Sequence, residues 1–387
     1  MLKSVTIKDI KVHIVALPLV ELLKTSYGAE PFKTALIIEV LTENNLTGWG
    51  EGAIKTKPSY SAETVLTAIH VTRDFLIPQL IGKTLNSPTE VPKLVKSVRG
   101  NPIARAAVEA AIWDVMAKAN DMRLADYFAH HLPEGNAPRD AINAGVSIGI
   151  QDTVEEQVAI IQKRVNEGYK RIKLKIAPGW DVELAKAVRE QFPDVMLMLD
   201  ANSAYTLKDA EHLKQLDQFN LIMIEQPLSY DDIYEHSKLQ PQLQTPICLD
   251  ESIHSAQDWK LAIELGAGKI LNLKPSRVGG YTESLKCYNL CVENNNPLWI
   301  GGMLETGIGR AANVAFASLP GVTLPCDISA TNRYYDPDLT EPPFELEPDS
   351  TIKVPDGIGI GVEVQRDRLA DAEATWRDYN PFKPLWD

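Results

Sequence analysis

The amino-acid sequence predicts an α/β protein: a TIM-like (β/α)7β barrel preceded by an α+β domain. Short apolar runs alternate with helical stretches from residue 141 onward, and several runs end in a charged residue. Asp200, Glu225 and Asp250 close three successive runs at intervals of 25 residues. One strand, one helix and two loops take about 25 residues in such a barrel. A doubly wound open sheet is the alternative, but evenly spaced polar strand ends favour the barrel.

Residues 1–130 are predicted to form a capping domain. The runs SVTIKDIKVHIVAL, ALIIEVLTEN and TGWGEGA alternate polar and apolar residues as antiparallel strands do, with a hairpin turn at Asn44-Asn45. Residues 61–80 and 103–119 carry the apolar spacing of helices. The segment near 20–32, LLKTSYGAEPF, is long enough to act as a lid over the barrel mouth.

Residues 140–330 are predicted to form the barrel. Its eight strands are expected in AINAGVSIGI, RIKLKI, VMLMLD, LIMIEQP, PICLDES, KILNLK, PLWIGGM and VTLPCDI. Helical patterns such as TVEEQVAIIQKRVNEG and AQDWKLAIELG separate the early strands. The segment 331–387 includes TIKVPDGIGIGVEV, which returns to strand-like alternation. We expect this segment to rejoin the capping domain and complete it.

Composition excludes several functional classes. A net charge of −13 argues against binding to nucleic acid or to an anionic membrane surface. No apolar run approaches the roughly 20 residues that span a bilayer, and the first residues read as a strand. The four cysteines are scattered, which favours packing roles and a reducing cytoplasm. Barrels of this kind commonly assemble, so we expect a homo-oligomer.

The three acidic strand ends predict a metal site. Side chains that end successive parallel strands converge on one rim of a barrel. Carboxylates without Cys or His neighbours suit Mg²⁺, with Mn²⁺ as the alternative ion, rather than Zn²⁺. Asn202 and Glu251 follow two of the acids closely and are expected to support them.

Lysines flank the acids on both sides along the chain. Lys173 and Lys175 lie on the preceding strand, and Lys274 ends the following one. Lys173 points deeper into the barrel, where we expect its pKa to fall toward the range of a general base. Two lysines facing each other across a carbon acid, whose carboxylate the metal holds, predict α-proton abstraction from a small-molecule carboxylate.

Other residues are candidates for binding or support. Arg277 is expected to pair with an acidic neighbour or a substrate carboxylate, or else to lie in solvent. Five residues are expected to line the pocket, the first two from the capping domain: Tyr27, Tyr60, Ser147, Met303 and Leu304.

The motifs KLK, LDAN, IEQP, LDES and LKPSRVGG resemble the enolase superfamily, and most closely its muconate-lactonizing-enzyme subgroup. The strings KIAPGWD and GGMLETGIGRAAN are similar to the branch of o-succinylbenzoate synthases and N-succinyl (N-acyl) amino acid racemases. The resemblance covers essentially the whole chain. It implies Asp200, Glu225 and Asp250 as Mg²⁺ ligands and Lys175 as the base, supported by Lys173. It makes Lys274 the opposing acid/base in racemisation, or a stabilising cation in dehydration.

Dipeptide epimerases of the subgroup usually carry Asp-x-Asp at the eighth strand, whereas this strand ends Cys326-Asp327-Ile328-Ser329. The resemblance therefore implies an N-acylated or succinyl substrate. The first expectation is the Mg²⁺-dependent syn dehydration of 2-succinyl-6-hydroxy-2,4-cyclohexadiene-1-carboxylate in menaquinone biosynthesis. N-succinyl or N-acylamino acid racemisation is the alternative or a second activity. A sugar-acid dehydratase, which generally has His in place of Lys274, and a non-catalytic barrel are the remaining hypotheses.

Overall fold

The computed structural model describes residues 2–21 and 31–380. The first region is an antiparallel sheet in the order β3-β2-β1-β4. Its strands are β1 Val5–Pro18, β2 Phe32–Thr42, β3 Thr47–Ala53 and β4 Thr84–Leu85. A tight turn joins β2 to β3, where Asn45 adopts a positive φ of 57° that asparagine tolerates well. The predicted hairpin turn is therefore present.

The helices described in this region are α1 Val65–Val71, α2 Ile77–Leu80, α3 Val91–Leu94, α4 Pro102–Ala119 and α5 Leu124–His130. Helices α1 and α4 pack on the sheet. Helix α4 lies directly on β3 because alternate residues of that strand are glycines. A Cβ at Gly48 or at Gly50 would lie 2.2 Å from a backbone carbonyl oxygen of α4. The alternation in TGWGEGA thus allows a helix to approach the strand closely.

The second region is a barrel of parallel strands in sequential order. These strands are β6 Gly145–Ile148, β7 Arg171–Lys175, β8 Met196–Asp200, β9 Ile224–Glu225, β10 Ile247–Leu249, β11 Ile270–Leu273 and β12 Leu298–Ile300. The eighth position is an extended segment around Cys326. Its backbone amides donate to Asn143 on one side and, from Asp327, to Ile300 on the other, both at 2.9 Å. This segment closes the ring, so the open-sheet alternative is wrong.

Helices connect the strands in the pattern expected of a (β/α)7β barrel. They are α6 Val154–Asn166, α7 Val182–Gln191, α8 Ala210–Leu213, α9 Tyr234–Leu239, α10 Ala256–Leu265, α11 Pro275–Val278, α12 Tyr281–Glu293 and α13 Gly307–Ala317. Side chains of Thr153 and Ser255 accept hydrogen bonds at the first turns of α6 and α10, which explains where those helices begin. Among the described residues, no helix combines the length and apolar character needed to cross a bilayer.

The C-terminal segment divides between the two regions. It contains β13 Thr340–Glu341, β14 Thr351–Lys353, β15 Glu363–Val364 and α14 Arg366–Tyr379. Helix α14 packs on β1, and Arg366 pairs with Glu39 of β2 at 2.7 Å. Strand β14, however, pairs with a separate short strand, β5 (Ala141–Asn143), beside the barrel. The strand-like alternation of TIKV is therefore used at the barrel, and a helix covers the N-terminal sheet.

Two buried glutamates join the first region to the barrel. Glu51 of β3 accepts hydrogen bonds from the Thr306 hydroxyl at 2.7 Å and from the Gly309 amide at 2.9 Å, at the start of α13. Glu109 of α4 accepts from the Thr282 amide at 2.7 Å, at the start of α12. Carboxylates are favoured at helix N-termini because the first amides lack partners within the helix. Each contact therefore fixes a barrel helix against the first region.

Candidate active site at the barrel mouth

The register of the barrel brings the predicted charged residues to one rim. Lys175 is paired across the sheet with Asp200, and Asp200 with Glu225. Asp250 and Lys274 directly follow β10 and β11. Each acid is at most 1% exposed, because neighbouring strands and loops enclose the rim. The regular 25-residue spacing therefore corresponds to a single cluster in space.

The lysines of β7 neutralise one side of this cluster. Lys175 Nζ donates to Asp200 Oδ2 at 2.5 Å and to Asn202 Oδ1 at 2.7 Å. Lys173, one layer deeper, lies 3.1 Å from Glu225 Oε2 and 2.6 Å from Asp327 Oδ2. Its ammonium also lies 5.0 Å from the ring centre of Trp299. Lys173 is thus fixed by several groups, and both Lys173 and Lys175 line the cavity.

The opposite side of the cluster is held by Lys274. Its Nζ donates to Asp250 Oδ2 at 2.8 Å and to the Tyr60 hydroxyl at 2.7 Å. Strands β7 and β11 are four positions apart in an eight-position ring. Lys175 and Lys274 therefore approach from opposite sides of the barrel, and both line the same cavity. A bound molecule between them would present one face to each ammonium.

The expected fall in the pKa of Lys173 is not found. Burial lowers the pKa of Lys173, but the charges of Asp327, Glu225 and Asp200 together outweigh burial and hold it well above its usual value. The pKa of Lys274 is also raised, since Asp250 and Tyr60 outweigh burial. The sequence-based expectation counted a bound metal and neighbouring cations, and it did not include Asp327, whose charge raises the pKa of Lys173.

The acids suit a hard divalent cation by their chemistry. Burial raises the pKa of Glu225, and the charges of Asp200 and Asp250 raise it further, which shows that the three carboxylates repel one another. Mg²⁺ and Mn²⁺ prefer oxygen donors that carry negative charge, as these three carboxylates do. Within the described ranges, no group of three acidic, Cys or His side chains has the arrangement of a metal site. Lysine side chains lie between the carboxylates instead. Ion pairs must rearrange before a cation is held.

The residues predicted to support the acids contact them or one another. Asn202 Nδ2 donates to Glu251 Oε1 at 2.8 Å, and the other oxygen of Glu251 is buried and has no hydrogen-bond partner among the described residues. Burial and the charges of Asp250 and Asp200 raise the pKa of Glu251 to about 7. Arg277 is buried too: its guanidinium contacts Asp250 and donates to the Asn272 carbonyl oxygen at 2.6 Å. Of the roles open to Arg277, pairing with an acidic neighbour is the one observed, and it does not line the cavity.

The cavity above the cluster receives residues from both regions. Tyr60, Ser147, Met303 and Leu304 line it, as does Asn202. Tyr27 and most of the predicted lid segment lie outside the described residues. The carboxylates of Asp200, Glu225 and Asp250 do not line the cavity wall themselves, because lysine side chains lie over them.

Sequence reasoning missed several residues of the site. Asp327 accepts from Arg171 at 2.5 Å as well as from Lys173, and Asn272 donates to Glu225 at 2.5 Å. Strand position could have predicted both residues. Asp327 ends the eighth apolar run, and Asn272 lies two residues before Lys274, on the same face of the strand. Lys33 and Lys55 also line the cavity. No barrel periodicity predicts those two, because they come from the first region.

Comparison with known proteins identifies the family. The chain matches the family model "Enolase C-terminal domain-like" over residues 156–368 and the model "Mandelate racemase / muconate lactonizing enzyme, N-terminal domain" over residues 7–128. It is 46% identical to an o-succinylbenzoate synthase of Geobacillus stearothermophilus, covering 88% of this chain and 89% of that protein. It is 44% identical to an N-succinylamino acid racemase of Thermus thermophilus, covering 93% and 95%.

Solved structures agree. An enolase-superfamily protein from Listeria innocua superposes with a TM-score of 0.90 at 40% identity, covering 95% of this chain and 97% of that one. Muconate lactonizing enzyme from Pseudomonas fluorescens superposes at 0.87 with 23% identity, covering 95% and 99%, and shows the shared fold alone. The resemblance found in the motifs is thereby confirmed. The chain belongs to the enolase superfamily, in its mandelate racemase / muconate lactonizing enzyme family, beside the o-succinylbenzoate synthases and N-succinylamino acid racemases.

Proposed function

We propose that this protein is a Mg²⁺-dependent lyase that forms o-succinylbenzoate by dehydration, in menaquinone biosynthesis. The observation that carries the proposal is the pair of lysines, Lys175 and Lys274, on opposite sides of one cavity above three buried carboxylates. Relatives that share 42–46% of their residues with this chain are o-succinylbenzoate synthases. Members of the enolase superfamily generally use Mg²⁺, which Asp200, Glu225 and Asp250 would hold.

The reaction begins with removal of the α-proton. Bound Mg²⁺ would supply the positive charge that stabilises the enediolate formed on the substrate carboxylate. Lys175, as the neutral amine, accepts the α-proton, and the C–H electron pair passes into the carbon framework. Asn202 Oδ1 accepts a hydrogen bond from Lys175 at 2.7 Å, and Lys173 pairs with the same Asp200 carboxylate as Lys175, which keeps Lys175 in place.

Water then leaves from the same face. In a syn elimination the α-proton and the hydroxyl group depart on one side, so the ammonium of Lys175 can return its proton to the leaving oxygen as the C–O bond breaks. Lys274 on the opposite side contributes a fixed positive charge near the intermediate. Tyr60 holds that ammonium in position.

Racemisation of N-succinylamino acids is the second candidate activity. It shares the first step, and a lysine on each side of the substrate allows the proton to return to either face. Relatives at 44% identity are N-succinylamino acid racemases. A sugar-acid dehydratase is less well supported, since the described residues that line the cavity include no histidine.

The test offers the purified protein both substrate types with Mg²⁺. We expect aromatic product, followed by its ultraviolet absorbance, and exchange of the α-proton of an N-succinylamino acid with solvent deuterium, followed by NMR. Absence of both signals in a folded protein would contradict the proposal and favour a binding function. Mn²⁺ is predicted to replace Mg²⁺.

The cellular setting stays a prediction. The four cysteines are free and buried, which supports a reducing compartment such as the cytoplasm. Assembly into a homo-oligomer is testable by light scattering.

A further inference from the structure

We propose that Asp327 is a positioning residue for the metal site: it holds the ammonium group of Lys173 away from Asp200 and Glu225, so that these carboxylates can bind the cation. The inference rests on the Mg²⁺ site of the proposed function, but not on which of the two reactions the protein performs. It gives a role to a buried carboxylate that no step of the proposed reaction uses.

Lys173 lies between two of the proposed metal ligands and Asp327. Its Nζ is 3.2 Å from Asp200 Oδ2 and 3.1 Å from Glu225 Oε2. The same Nζ is 2.6 Å from Asp327 Oδ2. Asp200 belongs to the strand that pairs with β7 on one side, whereas Asp327 lies beyond β6 on the other side of β7. Asp327 therefore attracts Lys173 in the direction away from the ligands.

Asp327 is a fixed anion. Arg171 Nη1 donates to Asp327 Oδ1 at 2.5 Å, which leaves Oδ2 for Lys173. The guanidinium of Arg171 is fully enclosed and lies 5.4 Å from the ring centre of Trp299. The Ser147 hydroxyl donates to Oδ2 of Asp327 at 3.4 Å. Burial raises the pKa of Asp327, but the charges of Arg171 and Lys173 together outweigh burial and hold it well below its usual value.

The partners of Lys173 change when a cation is bound. Asp200 and Glu225 then share their negative charge with the metal, and the ammonium of Lys173 and the metal repel each other. The ammonium is stable in its enclosed position only if another carboxylate balances it, because an unpaired buried charge is costly. Among the described residues that pair with Lys173, Asp327 is the one outside the proposed ligand set. Without Asp327, the ammonium would compete with the metal for the other two carboxylates.

The experiment measures Mn²⁺ binding from the electron paramagnetic resonance signal of free Mn²⁺, without substrate, so that no catalytic step contributes. Asp327→Asn should weaken Mn²⁺ binding roughly 10- to 100-fold, the usual effect of removing a group that supports a metal site. Lys173→Met removes the competing ammonium and should bind Mn²⁺ at least as tightly as wild type. In the Lys173→Met background, Asp327→Asn should change the dissociation constant by about threefold or less, because no ammonium is left to hold.

Glu305→Gln is the matched control. Glu305 also lines the cavity, but it accepts hydrogen bonds from the Met303 amide and from Asn313 rather than pairing with Lys173. Its removal should leave the Mn²⁺ affinity equal to that of wild type, and circular dichroism checks that each variant is folded.

The outcomes separate the positioning role from the metal site itself. Unchanged Mn²⁺ affinity in Asp327→Asn would overturn the positioning role, and so would an equal loss of affinity with and without Lys173, since Asp327 would then act through its own charge. Weaker binding by Lys173→Met would overturn it as well, even if Asp327→Asn failed to fold. If wild type binds no Mn²⁺ and no Mg²⁺, the proposed metal site fails and this inference fails with it.

Discussion

The barrel rim and the first-region wall of the cavity carry charge in different ways. At the rim, Asp200, Glu225 and Lys175 hold positions that strand pairing dictates, and each contacts an opposite charge. In the first-region wall, Lys33 and Lys55 occupy places set by an antiparallel hairpin and by the packing of two regions. The comparison teaches that the charged rim follows from a repeated strand spacing, whereas the first-region wall depends on contacts between elements distant in sequence.

The largest expected effect comes from removing a lysine at the rim. Lys175→Ala should reduce dehydration and racemisation roughly 10³-fold or more, because the acid/base group is lost. Lys274→Ala should also abolish racemisation but keep deuterium exchange with the enantiomer whose α-proton faces Lys175. Chiral chromatography with NMR separates these outcomes. Lys286→Ala, on the exposed face of α12, is the control and should keep full activity. Near-normal turnover by either rim variant would contradict the assigned roles.

The next effect tests the buried charges at the rim. Asp250→Asn leaves Lys274 and Arg277 without their carboxylate partner, which should cost about 3–5 kcal/mol of unfolding free energy. Urea denaturation measures the loss. Glu211→Gln breaks an exposed ion pair with Lys214 and should cost at most about 1 kcal/mol. Equal losses of unfolding free energy for the two variants would mean that a buried ion pair at the rim matters no more for stability than an exposed one.

The sequence predicts the rim better than any other part of the site. Each acid ends an apolar run, so strand register alone brings Asp200, Glu225 and Asp250 together. Asp327 also ends an apolar run, but it was considered only in connection with the Asp-x-Asp motif of dipeptide epimerases, which this strand does not contain. The role of Arg277 was left open because strand register does not determine where a loop side chain lies. Lys33 and Lys55 depend on how the first region packs over the barrel, which no local pattern encodes.

A smaller effect concerns the junction between the two regions. Burial raises the pKa of Glu51 to about 7, although hydrogen bonds from Thr306 oppose the shift. The folded protein therefore binds a proton that the unfolded chain releases near pH 4.5, and the Glu51 contribution to stability falls as pH rises from about 4.5 to about 7. The difference between wild type and Glu51→Gln should change by on the order of 1 to 3 kcal/mol across this window. Thermal melts from pH 4.5 to 7.5 provide the measurement.

Glu43→Gln, on the exposed turn after β2, is the control and should follow the wild-type curve. A Glu51→Gln curve parallel to wild type would show that Glu51 keeps its charge throughout, held by the amides of α13.

The smallest effect on stability is expected from a chelator. Because the buried acids of the rim already pair with lysines and with Arg277, the chain should stay folded without Mg²⁺. Activity should disappear while the melting temperature falls by only about 5 °C or less. Circular dichroism with and without EDTA checks this expectation. Loss of the folded signal on chelation would show that the ion pairs do not substitute for the metal.

The glycines of β3 also bear on protein engineering. They let α4 lie against the sheet. Glu109 of that helix accepts a hydrogen bond at the start of α12, which follows the loop that contains Lys274. A bulkier residue at position 48 or 50 would push α4 outward and transmit the displacement to that loop. Chimaeras that exchange the N-terminal portions of related enzymes should therefore transfer β3, α4 and residues 275–282 as one unit. If these three segments came from different proteins, the amino group of Lys274 would be displaced.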